Sequence, residues 1–142
     1  MRVDFLILCR SSSIDASTGS LSLFDIVEEI TAEKEESENE DSFTPPEINF
    51  SIQAIANFTR EESDGKGVLD KEFVLQLENP QGDAKIIRED LPVRFEENHK
   101  RFRLRVTINI TIQEEGQYFV RLLDENKKQV AMNDIIFNIK EV

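Results

Sequence analysis

This chain has no tryptophan, one tyrosine, one histidine and one cysteine. Each scarcity narrows the reading. A lone cysteine, Cys9, excludes an internal disulfide framework and a multi-cysteine zinc site. A lone histidine, His99, leaves little acid–base chemistry near neutral pH. Sugar-binding modules, single-strand nucleic-acid platforms and readers of proline-rich peptides display Trp or Tyr on their surfaces, so those classes rank low. No apolar run approaches the roughly 20 residues of a membrane helix. Positive charge is also short: 17 basic residues stand against 29 acidic ones, for a net charge of −12. A nucleic-acid binder neutralises phosphates with clustered Lys and Arg, so neither nucleic acid nor an anionic membrane surface is an expected partner.

What is present is one domain's length, 142 residues, enough to bury a core without disulfides or metal. The negative charge is concentrated. Glu28 to Asp41 carries eight acidic residues and one Lys, a net −7 of the −12. The remainder is an ordinary domain, residues 1–142 forming one unit with an acidic insert at about 31–43. Such a segment reads as a solvated loop or as an electrostatic docking segment for a basic partner. At the N-terminus, Asp4 interrupts the apolar stretch and Arg10 follows only five apolar residues, Phe5 to Cys9. That is too short for a secretory leader. The segment reads as a strand, and a cytoplasmic location, where a free thiol is stable, is the expectation. The sequons at Asn49, Asn57 and Asn109 fall in strand-like runs and read as accidental.

The dominant period is two. Phe102, Leu104, Val106, Ile108, Ile110 and Ile112 alternate with Arg101, Arg103, Arg105, Thr107, Asn109, Thr111 and Gln113, the signature of a half-buried strand. Ile48 to Phe58, Phe73 to Leu77, Tyr118 to Leu122 and Ile135 to Ile139 repeat it. Val3 to Cys9 and Leu21 to Ile30 are apolar on both faces, as strands covered on both sides or switching sheets at a bend would be. Ala84 to Arg88, Leu91 to Phe95 and Lys128 to Met132 are shorter candidates. Polar turns separate them, among them Ser11 to Ser20, Ser63 to Gly67 and Asn79-Pro80-Gln81-Gly82-Asp83. No helical stripe is visible. The fold class is therefore all-β: a single antiparallel β-sandwich of eight or nine strands. Phe50, Ile52, Phe73, Leu75, Leu104, Val106, Ile108, Val120 and Phe137 are the expected core.

Two resemblances sharpen this. Glu114-Glu115-Gly116-Gln117-Tyr118-Phe119-Val120 resembles the opening of strand F in immunoglobulin-like domains, where a Tyr hydroxyl bonds back to the backbone at a corner. Val120 takes the place of the inward cysteine. The resemblance implies an immunoglobulin-like sandwich and says nothing of antibody-like recognition. Separately, Leu8-Cys9, a polar turn with Asp15 and Thr18-Gly19, then Leu21-Ser22-Leu23-Phe24-Asp25-Ile26 resemble a family of short prokaryotic β-sandwich proteins of unknown function. That family supplies no catalytic residues to carry over, and the acidic insert departs from its pattern.

Candidate chemistry is sparse. His99 lies in a charged loop, and no nucleophile motif accompanies the plentiful Ser and Asp. Cys9, among apolar neighbours, reads as a buried, inert thiol. Gly65-Lys66-Gly67 lacks the rest of a phosphate-binding loop. Acidic loops at Asp15, Glu61–Asp64, Glu114–Glu115 and Asp124–Glu125 would suit calcium if folding gathered them, because calcium takes six to eight oxygen ligands. Arg101, Arg103 and Arg105 share one strand face, a stripe about 13 Å long at roughly 3.3 Å per residue. It is either a sheet surface paired across strands with Glu72 or Glu78, or a docking stripe for an acidic segment.

The expectation is thus a non-catalytic protein–protein interaction module with no cofactor, binding a protein partner through Arg101, Arg103 and Arg105. A sheet edge offers a further route, to a homo-oligomer. A ligand- or calcium-binding sandwich using acidic loops at one end is the alternative.

Overall fold

The computed structural model describes residues 1–34 and 47–141. The greater part of the acidic insert, residues 35–43, lies outside the described residues. The described residues form nine strands: β1 (Arg2–Ile14), β2 (Leu21–Ile26), β3 (Glu29–Lys34), β4 (Ile48–Thr59), β5 (Leu69–Glu78), β6 (Ala84–Phe95), β7 (Arg101–Ile112), β8 (Gly116–Leu123) and β9 (Gln129–Glu141). A 3-10 turn, Glu62–Asp64, leads into β5. The strands make two sheets, ordered β2-β1-β4-β7 and β3-β9-β8-β5-β6. No helix among the described residues is long and apolar enough to cross a membrane.

The two-residue period explains the layering. Side chains alternate across a strand, so each half-apolar strand presents one face to the opposite sheet. Ile52, Ala54, Ala56 and Phe58 of β4 and Leu104 to Ile112 of β7 face Phe73, Leu75 and Leu77 of β5, Val120 and Leu122 of β8, and Ile135 and Phe137 of β9. Aromatic rings close both ends of this aliphatic belt. At one end Phe137 packs edge-on against Tyr118, with ring centroids 5.0 Å apart, and beside Phe50. At the other end Phe58 contacts Phe73 and Phe102, and Phe102 contacts Phe95. Of the nine expected core residues eight are buried. Phe50, near the start of β4, is only half-buried.

Four details differ from the sequence reading. The pairings are not all antiparallel: β3 runs parallel to β9, with Ile30 opposite Phe137 and Ala32 opposite Ile139. Thr31 to Lys34 belong to this strand, so the first residues assigned to the insert are part of a sheet edge. The short candidates at 84–88 and 91–95 are one strand, β6, broken in pattern by two register shifts against β5 and by Asp90, whose φ is +53. An extra residue in one strand flips the side-chain phase, which makes one bulged strand look like two. Finally, β1 continues to Ile14, into the run read as a turn. The doubly apolar segment Leu21 to Ile30 does switch sheets: β2 pairs with β1, β3 pairs with β9, and Val27 is buried between them.

Candidate functional site

Arg101, Arg103 and Arg105 lie on β7, which ends its sheet among the described residues. Its other side pairs with β4 over all twelve residues without a bulge, from Thr59 opposite Arg101 to Ile48 opposite Ile112. Because Leu104 and Val106 point into the core, the arginines point away from it, and all three are exposed. Their cross-strand neighbours on this outer face are Thr59, Asn57 and Ile55. None of these carries charge. Glu72 and Glu78, expected as counter-charges, sit on β5 of the opposite sheet, where Glu78 is held by Arg121 at 3.0 Å. Among the described residues, no carboxylate forms an ion pair with Arg101, Arg103 or Arg105.

Neutral groups of the β1–β2 hairpin do reach the stripe. Arg103 Nη1 donates to the Gly19 carbonyl oxygen at 3.3 Å, and Arg105 Nη1 to Ser12 Oγ at 3.4 Å. Ser12 Oγ in turn donates to Gln53 Oε1 on β4. The hairpin therefore leans over the outer face of its own sheet. This accounts for Ile55, which is outward by register yet fully buried. It leaves Phe24 and Ile26 turned to the surface. Each guanidinium has five N–H donors, so one long hydrogen bond leaves most of each fork unused.

The direction of the β7 backbone groups can be read from two hydrogen bonds. The Lys100 carbonyl oxygen accepts from the Arg60 N–H at 2.7 Å, extending the β4–β7 ladder by one step. Within a strand, N–H and C=O groups alternate sides residue by residue. Phe102, Leu104 and Val106 thus bond to β4, while Arg101, Arg103, Arg105 and Thr107 turn theirs outward. The second bond agrees: Arg88 Nη1, coming from β6, donates to the Thr107 carbonyl oxygen at 3.1 Å. The residues that carry the charge are also those whose backbone faces the edge.

The remaining candidates are dispersed. Cys9 is buried, and burial raises its thiol pKa. His99 is exposed in the loop between β6 and β7. Asp15 is occupied locally, its Oδ1 accepting from the N–H groups of Thr18 and Ser17, and these bonds lower its pKa. Asp124 accepts from the N–H groups of Asn126 and Lys128 in the same way. Among the described residues, no group of three or more His, Cys, Asp or Glu is placed to hold a metal ion.

One carboxylate escaped the sequence reading. Asp4 sits at a register shift of β1 and accepts from Thr59 Oγ1 at 2.5 Å, Arg2 Nε at 2.9 Å and Asn57 Nδ2 at 2.6 Å. These bonds, Thr59's foremost, hold its pKa at about 2. Arg2 is a local partner, but Asn57 and Thr59 lie more than fifty residues away along the chain, so no local pattern announces them.

The Glu-x-Gly-x-Tyr segment leads from β7 of one sheet into β8 of the other. Tyr118 is buried and its hydroxyl donates to the Glu114 carbonyl oxygen at 2.8 Å. Burial and the Glu114 charge raise its pKa. Gly116 has φ +137, and a Cβ there would lie 2.6 Å from Pro80 Cγ.

Compared with models of known protein families and with curated proteins, the chain matches none.

Proposed function

We propose that this protein is an immunoglobulin-like sandwich that acts as a non-catalytic protein-interaction module, binding an acidic protein surface through Arg101, Arg103 and Arg105. Strand order supports the first part. The run β9-β8-β5-β6 corresponds to G-F-C-C′, and β1-β4-β7 corresponds to A-B-E. The Tyr118 corner at the start of β8 falls where strand F begins. The added strand β2, the parallel strand β3 and the absence of a described strand beyond β7 are departures from that plan.

One observation carries the second part. In a chain of net charge −12, three guanidinium groups share one strand face with no carboxylate paired to them among the described residues. Like charges at this spacing repel unless opposed. Arg suits a carboxylate partner because its planar fork binds both oxygens. The test replaces all three by Gln, which keeps length and hydrogen bonding and removes charge. Wild-type protein should retain a partner from host extract that the variant loses, and the purified complex should weaken as salt rises. A variant that holds every partner as tightly as wild type would refute this function for the arginine face.

A further inference from the structure

We infer that the free edge of β7 between Arg101 and Arg105 receives an extended acidic segment of a partner as an additional antiparallel strand. This deepens the function proposed above and rests on it: that reading requires only a charged surface, whereas strand addition requires the backbone.

Three features of the edge point to this mode. First, Arg101, Arg103 and Arg105 direct their own N–H and C=O groups to the open side, as the Lys100–Arg60 bond and the Arg88–Thr107 bond establish. An unpaired edge of this kind is a template for a further strand. Second, the edge is regular. It pairs with β4 without register shift and contains no proline and no positive φ, whereas β6, the edge of the other sheet on this side, has two register shifts, Pro92 and Asp90. Third, no other described strand pairs with this side of β7.

The charge and the pleat specify the occupant. In an antiparallel hydrogen-bonded pair, residues directly opposite exchange both backbone bonds and share a face. Residues opposite Arg101, Arg103 and Arg105 would then sit on the arginine side, where carboxylates fit. Alternate residues would fall beside Phe102 and Leu104, at the margin of the core, where apolar side chains fit. Arg88, already bonded to the Thr107 carbonyl, marks one end of the open stretch. The occupant is therefore a short segment alternating acidic and apolar residues. A second copy of the chain fits badly, because β7 against β7 would set arginine against arginine.

The test is direct binding of synthetic peptides to the full chain. A seven-residue peptide alternating Ile and Glu should bind, and its Lys-for-Glu counterpart should not. Replacing Arg101, Arg103 and Arg105 by Gln should weaken binding by about tenfold or more. N-methylation of the Glu positions, whose amides face β7, should weaken binding by a similar factor, whereas N-methylation of the Ile positions should leave it unchanged. The methylated peptides need no protein variant, so the test survives if the triple variant folds poorly. Equal binding by both methylated peptides would overturn strand addition while leaving the charged face as a binding surface. Failure of the acidic peptide to bind, or equal binding by the Lys peptide, would overturn the inference outright.

Discussion

Gly116 and Tyr118 show how much a single position can demand. A methyl group at Gly116 would meet Pro80 at 2.6 Å on a backbone that L side chains rarely adopt. Gly116→Ala should cost about 1–3 kcal/mol in chemical denaturation, since both overpacking and a positive φ oppose it. Tyr118→Phe keeps the ring against Phe137 and deletes the bond to Glu114, so about 1 kcal/mol is expected. The donor and acceptor of this bond are four residues apart, so one short stretch of sequence holds both. Asp4, by contrast, shows in the sequence only as a break in an apolar run, because Asn57 and Thr59 lie more than fifty residues away. Its depressed pKa makes a prediction with a definite sign. A carboxylate held ionised in the folded state stabilises above its unfolded value of 3.8 and stops doing so as pH falls through about 2. Asp4→Asn should therefore lower the melting temperature at neutral pH, and the gap to wild type should close between those two values.

Among elements, the alternating strands β4 and β7 were legible over nearly their full length, because every second residue is apolar and the other face meets solvent. Strand β3 was not. It offers only Ile30 and Ala32 to the interior, within a run of acidic residues whose composition resembles a loop. Its pairing with β9 is a property of the partner. The same applies to the arginine stripe: the sequence placed three cations on one face but could not place Glu72 and Glu78, since sheet membership depends on connections between distant strands. Strand β6 was read as two because Asp90 adopts φ +53 between shifted registers. Asp and Gly tolerate that region and β-branched residues do not. Asp90→Val should cost about 1–2 kcal/mol in equilibrium unfolding, while Asp90→Gly should stay within about 0.5 kcal/mol.

At the scale of the whole molecule, the excess of negative charge and the local row of positive charge belong to one account. A chain of net charge −12 repels acidic partners at long range, so an acidic segment gains only where cations stand close enough to dominate the local field. In the proposed account the outer face and edge of β7 are that place; the strand itself is anchored on its inward side by Leu104, Val106, Ile108 and Ile110. The measurement that tests this account most directly is amide hydrogen exchange along β7, residue by residue, without and with the alternating Glu–Ile peptide. In the free protein, the amides of Arg101, Arg103 and Arg105 should exchange quickly and those of Phe102, Leu104 and Val106 slowly. With peptide bound, the three arginine amides should become protected while the others change little. Arginine amides that are already protected in the free protein, or that stay unprotected in the complex, would contradict it.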